Sequence, residues 1–268
     1  MFRCLRRKRR ASIKWWLPNG PIAGLPAIFY PQVASNLGGV IEVFVSPTPP
    51  PAALPPCRFR FPDPARADAE GLLAEGGDLE PSTLIAAYRA GIFPWPYDDH
   101  ELLWWSPDPR AILPLDGLHV SRSLARLLRQ GRFRVTLNAA FAQVIAGCAD
   151  REETWITPAL RAAYERLHGL GWAHSVEVWA PDGTLAGGLY GVAVGALFSA
   201  ESMFHRARDA SKVALVGLVA HARRVGLTLL DVQVPSAHLA SLGARTIPRR
   251  EYLARVAAAV RRPVRVGR

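Results

Sequence analysis

The residue types best suited to chemistry lie in one short run, Leu229-Leu230-Asp231-Val232-Gln233-Val234, where a carboxylate and an amide interrupt apolar neighbours at alternate positions. In a β-strand, residues i and i+2 project from the same face. The pattern therefore places Asp231 and Gln233 side by side on a strand whose other residues read as buried. Polar groups held in such a place have either a partner or a task. They could satisfy neighbouring backbone groups or arginines, or they could polarise and position a reactant.

Several familiar chemistries are missing. The chain has no Walker phosphate loop, no Gly-x-Gly-x-x-Gly after a strand and no Gly-x-Ser-x-Gly elbow. His168 and His174 are too far apart in sequence for a helical ligand pair, so neither a metal site nor a hydrolytic triad is supported. What remains is the Asp-x-Gln strand, Glu201 on another strand, an aromatic segment and an arginine stripe. That set suits acyl transfer from an already activated carrier, where the protein mainly positions and polarises.

The elements that must position these groups follow from periodicity. Gly71 to Leu79 reads as a short strand ending in a glycine turn, and Pro81-Ser82 opens a helix that Gly91 ends. Phe93, Trp95, Trp104 and Trp105, separated by prolines, read as a stiff irregular segment: a packed lid, or a platform for a flat ligand such as a base. Ser121 caps a helix to Gly131. Its apolar residues include Leu124, Leu127 and Leu128, while Arg122, Arg126 and Arg129 share another face. A second helix covers about Pro158 to Leu170 with Thr157 as cap. Ser175–Trp179 and Thr184–Tyr190 form a hairpin about Pro181-Asp182-Gly183, and Gly191 to Gly195 turns into Ala196–Phe204. A buried helix runs from a Ser211 cap to Arg224, followed by the Asp231 strand, one helical turn at His238–Leu242 and a last helix at Tyr252–Arg261. This is an α+β order: a small N-terminal α/β domain at 57–108, then a GNAT-like acyltransferase domain at 109–268 with a mainly antiparallel sheet flanked by helices. The GNAT comparison is one of element order and does not itself specify chemistry.

The net charge of +11 is concentrated in the first 60 residues, which hold nine Lys/Arg against Glu42 alone. The rest of the chain is close to balanced, so any nucleic-acid argument for the folded part rests on local clustering. Residues 1–56, basic and then rich in Pro and Gly, read as a dispensable extension. Pro18, Gly20, Pro21, Gly24 and Pro26 break up a secretory signal, leaving a transit peptide, a disordered tail or a start-site artefact. No window reaches the about 20 apolar residues of a membrane span. Cys4, Cys57 and Cys148 suggest neither a disulfide framework nor a metal spacing, so the expectation is a cytoplasmic protein with no membrane association.

A dozen segments in order carry a resemblance. They include Gly76-Gly77-Asp78-Leu79, Gly91-Ile92-Phe93-Pro94-Trp95, Trp104-Trp105-Ser106-Pro107-Asp108-Pro109-Arg110, Thr154-Trp155-Ile156-Thr157, Glu201-Ser202-Met203-Phe204, Asp231-Val232-Gln233 and Ser241-Leu242-Gly243-Ala244. From about Cys57 to Val260 the chain resembles the leucyl/phenylalanyl-tRNA–protein transferases. The resemblance implies transfer of leucine or phenylalanine from aminoacyl-tRNA to proteins with an N-terminal Arg or Lys, marking them for N-degron degradation. It implies no ATP, metal or coenzyme, because exchanging an ester for an amide is downhill, and the expected species is a monomer. It implies that Asp231 polarises Gln233, which orients the attacking amine, and that Glu201 meets the acceptor's cationic residue. Trp95 and Trp155 are implied at the aminoacyl-adenosine, and Arg122, Arg126 and Arg129 on the acceptor stem. Leu189, Met203, Leu215 and Leu218 would line the side-chain pocket. With Ala222, Leu215 and Leu218 stand where some relatives carry phenylalanine, so the lining is more aliphatic. The rival readings are a CoA-dependent acyltransferase, which would want a glycine-rich turn where His205–Ser211 has none, and a non-catalytic RNA-binding protein, which has no use for an Asp-x-Gln strand.

Overall fold

The structure, a computed structural model, describes residues 41–96 and 101–268. The chain enters as β1 (Val43–Val45), then builds a small unit from β2 (Leu72–Glu75), α1 (Pro81–Arg89), β3 (Phe93–Pro94) and β4 (Leu103–Trp105). The larger part follows with β5 (Arg110–Ile112), α2 (Arg122–Arg129), β6 (Arg134–Leu137), α3 (Phe141–Ala149) and α4 (Pro158–Gly169). Strands β7 (Ala173–Trp179), β8 (Leu185–Val194) and β9 (Leu197–His205) lead to α5 (Ala210–Val225) and β10 (Leu229–Gln233). The chain closes with α6 (Ala237–Ser241), β11 (Arg245–Ile247) and α7 (Arg249–Ala259).

Eight strands form one sheet in the order β1-β6-β7-β8-β9-β10-β5-β11, antiparallel except for the β1/β6 and β9/β10 pairs. Alternation along the strands sends side chains to two cores. On one face α5, with α2 against it, covers Leu189, Ala193, Leu230 and Val232. On the other, α3, α4 and the small unit enclose Tyr190, Val192 and Phe204, while α7 covers Leu229 and Ile112. The small unit is an antiparallel sheet, β2-β4-β3, with one helix. Its Leu73, Leu84 and Trp104 belong to the same core cluster as Phe141, Tyr164 and Trp172.

Several expectations need correcting. The last part of the supposed extension is built in: Val43–Val45 pairs with Val135–Leu137, and Ala52 binds Leu170 and Trp172. Proline-rich composition hides a short parallel edge strand. Residues 1–40 lie outside the described part. The aromatic segment is not irregular, since Phe93 and Trp105 pair across β3 and β4, and Pro94 is tolerated because β3 is an edge strand. Gly191 does not begin a turn: β8 runs on to Val194, and a Cβ at Gly191 would stand 2.3 Å from the Ser199 carbonyl oxygen. That glycine serves close packing rather than chain reversal. Helix α5 is preceded by Asp209, left-handed at φ 66°, whose carboxylate pairs with Lys212, so Ser211 is not its cap. Helix α7 starts three residues before the expected Tyr252, and β6 and α3 lie in a stretch that gave no sequence signal.

Candidate active site

Two bulges on neighbouring strands build the site. The parallel β9/β10 ladder ends at Ser199 opposite Asp231. Just beyond it, Tyr190 pairs with Ser202 and Gly191 with Ala200, which leaves Glu201 as the extra residue of β9. On β10, Asp231 and Gln233 face the adjacent residues Ile112 and Ala111, which leaves Val232 extra. Bulges of this kind re-aim side chains and end pairing. Gln233 takes a left-handed backbone, φ 62°, unusual for a non-glycine residue. Its Nε2 reaches across the end of the ladder and donates to Glu201 Oε1 at 2.8 Å.

Asp231 and Gln233 are therefore joined, but not as alternation suggests. Asp231 Oδ1 accepts from the Gln233 backbone N–H at 2.9 Å, so the carboxylate fixes the bulged backbone rather than polarising the amide side chain. The remaining donors to Asp231 come from three elements. Arg110 of β5 binds both oxygens, Nε to Oδ1 at 2.9 Å and Nη2 to Oδ2 at 2.7 Å. Ser199 Oγ and the Tyr252 hydroxyl donate to Oδ2 at 2.9 and 2.8 Å. Burial alone would raise the Asp231 pKa, but the guanidinium and these hydrogen bonds outweigh it and hold the carboxyl below its usual range. Asp231 is an anion with its lone pairs occupied, which makes it a poor candidate for proton transfer.

Glu201 is the opposite case. Its Oε2 accepts from the Tyr164 hydroxyl at 3.0 Å, and Tyr164 is 2.7 Å from the Tyr88 hydroxyl, all inside the core. Burial is the dominant influence and, with the Asp231 charge nearby, pushes the Glu201 pKa up to about 8. Their surroundings thus push two carboxyls on adjoining strands in opposite directions. With Glu201 as acceptor, the Gln233 amide nitrogen is committed and its oxygen is the end left to meet an amine N–H.

The other expected residues fall into three places. Trp95 and Trp155 are half-buried and meet nearly edge-on, ring centroids 6.5 Å apart, on the Tyr164 side of the sheet. Leu189, Leu215 and Leu218 are buried together on the α5 face, with Met203 packed against them and paired to Leu189 across β8/β9. The aliphatic residues and the polar ones therefore lie on opposite faces, with the end of the β9/β10 ladder between them. Arg122, Arg126 and Arg129 are exposed on α2, away from the hydrogen-bond network. Among the described residues no three His, Cys, Asp or Glu are grouped to hold a metal. Sequence reading missed Arg110, Ser199, Tyr252, Tyr164 and Tyr88 as site residues. Arg110 closes the Trp104–Arg110 motif, and its only signal is an arginine opening the apolar run Ala111-Ile112-Leu113.

These groups orient, desolvate and polarise, a pattern fitting direct transfer between two bound substrates. The family model for leucyl/phenylalanyl-tRNA protein transferase matches residues 112–257, and that for the N-terminal domain of the same transferase matches 77–108. A relative from Aromatoleum aromaticum, a leucyl/phenylalanyl-tRNA–protein transferase, is 57% identical over 197 residues, covering 72% of this chain and 83% of its own. One of the same name from Anaeromyxobacter sp. strain K is 54% identical over 213 residues, 78% of this chain and 91% of its own. Among solved structures, L-PGS from Bacillus licheniformis aligns with a TM-score of 0.37 at 11% identity, over 55% of this chain and 48% of that one, too distant to carry an argument. The chain belongs to the leucyl/phenylalanyl-tRNA–protein transferase family, which is a family of aminoacyltransferases.

Proposed function

We propose that this protein transfers leucine or phenylalanine from aminoacyl-tRNA to proteins bearing an N-terminal Arg or Lys, and that Asp231, Gln233 and Glu201 form its reaction centre. The family membership supports the aminoacyl transfer. The observation that supports the centre is the Gln233 amide, held in a strained bulge between the Asp231 and Glu201 carboxyls.

An α-amino group has a pKa of about 7.7–8.0, so the attacking amine is readily available as the free base. The amine nitrogen bonds to the ester carbonyl carbon, the bond to the ribose oxygen breaks, and one amine proton ends on that oxygen. Gln233 Oε1 accepts from the amine and aims its lone pair; an amide is too weak a base to keep the proton. Glu201 meets the acceptor's guanidinium or ammonium, whose arrival favours the carboxylate and releases a proton. Trp95 and Trp155 hold the aminoacyl-adenosine, the Leu189–Met203–Leu215–Leu218 cluster takes the side chain, and Arg122, Arg126 and Arg129 grip the acceptor stem through its phosphates. A GNAT-like core is part of this reading, supported by the parallel β9/β10 pair whose ladder stops beside the reacting groups. We place the reaction in the cytoplasm, carried out by a monomer.

The test is incubation with radiolabelled leucyl-tRNA and an Arg-N-terminal protein, without ATP or CoA. Label is expected in the protein; none would refute the assignment.

A further inference from the structure

The Arg110 guanidinium is enclosed by parts of the molecule that otherwise meet little. It is 1% exposed, and the rings of Phe93 on β3 and Tyr252 on α7 lie 4.6 and 4.3 Å from its centre. Nε and Nη2 bind Asp231, Nη2 also reaches the Tyr252 hydroxyl at 3.1 Å, and Nη1 donates to the Gly91 carbonyl at 3.2 Å. Gly91 ends α1 and leads through Phe93 and Pro94 to Trp95. It is left-handed, φ 74°, and a Cβ there would stand 2.6 Å from Leu253 and 3.0 Å from the Tyr252 ring. The small unit thus touches α7 at a point where only glycine fits, with Arg110 behind it. One planar cation binds the strand end that carries Gln233 with one edge, and the segment that carries Trp95 with the other.

We infer that Arg110 is a positioning residue that sets the separation between the aromatic platform at Trp95 and the Gln233 amide, acting through Gly91 and Phe93 on one side and Asp231 on the other. The inference rests on the proposed reaction centre and extends it. A lysine would keep the charge and could reach Asp231, but a point ammonium cannot bind both Asp231 oxygens side by side, lie flat between two rings and still reach Gly91. Misplacing reacting groups by about 1 Å can cost on the order of a hundredfold in rate.

The experiment compares wild type with Arg110→Lys and Arg110→Gly. Melting curves establish that each is folded before rates are read. For Arg110→Lys, kcat for leucyl transfer should fall about a hundredfold, while KM for leucyl-tRNA, held mainly by phosphates, changes less than about threefold. Methylguanidine should restore at least about tenfold of the loss in Arg110→Gly and do nothing for Arg110→Lys, whose side chain fills the space. Amide hydrogen exchange supplies a readout independent of turnover. In Arg110→Lys, protection should drop at the Gln233 and Trp95 amides together and stay unchanged along the β7–β8 pair. A kcat within about twofold of wild type overturns the inference, as does protection lost evenly across the sheet, which marks a merely structural arginine. If wild type transfers nothing, the functional reading fails, and the exchange pattern still decides the role of Arg110.

Discussion

Asp231 and Glu201 are both buried carboxyls, yet their surroundings drive them apart, and each yields a different prediction. Asp231 faces a guanidinium, so Asp231→Ala strands a buried cation and should cost about 3–5 kcal/mol of stability as well as turnover, read by denaturant melts. Gln233→Ala removes a side chain without stranding charge. It should keep fold and tRNA binding while kcat falls about a hundredfold, in line with the loss of one well-aimed polar group. Loss of tRNA binding instead would make Gln233 structural. For Glu201 the folded pKa, about 8, lies above the unfolded value. Its contribution to stability is therefore complete at pH below about 4.5 and is lost as pH rises through 8. Glu177, buried under four hydrogen-bond donors and pushed up to about 7 chiefly by burial, acts in the same direction. Buried His174 and His221, lowered to about 3 and 4, act oppositely, giving stability above pH 6.5 that is lost on acidification. Glu201→Gln should flatten the decline of melting temperature between pH 5 and 8 relative to wild type; an unchanged slope would show that Glu201 is already ionised.

At the level of elements, α2 and β1 carry the sharpest expectations. The α2 arginines are exposed and lie on a helix whose apolar side, led by Leu124, rests against the α5 core. Replacing Arg122, Arg126 and Arg129 by Gln should move stability by no more than about 0.5 kcal/mol but flatten the salt dependence of tRNA affinity, by roughly one unit of slope for each phosphate no longer neutralised. An unaltered slope would place the RNA elsewhere. Removing residues 1–46 takes β1 off the sheet edge and should lower the melting temperature relative to removing 1–40, which leaves β1 in place. Legibility varied for physical reasons. The hairpin and α5 were visible because their burial is periodic and their ends carry turn residues. The extent of β8 was not, because Gly191 reads as a turn residue but is small so that Phe198 and the Ser199 backbone can approach. The Asp-x-Gln spacing singled out two residues that the structure joins, and two bulges, which no spacing reveals, changed how they touch. No local pattern distinguishes a fully buried arginine such as Arg110 from exposed ones, because what buries it comes from β3 and α7, far away in sequence.

On the scale of the molecule, one sheet separates two environments. The α5 face is aliphatic around Leu189, Leu215 and Leu218, while the opposite face collects the tyrosines, Glu201 and the indoles. The paired strands between them stop at Ser199 and Asp231, so chemistry that needs both environments is confined to the end of that ladder. This division bears on the order of events. If, as proposed, the Leu189 cluster takes the aminoacyl side chain and Glu201 the acceptor N-terminus, the two do not contend for the same space. Steady-state kinetics should then follow a ternary-complex scheme with intersecting reciprocal plots, and an unreactive acceptor peptide should inhibit non-competitively against leucyl-tRNA. On that reading the end of the ladder takes both substrates at once, and neither reactant has to wait for the other to leave.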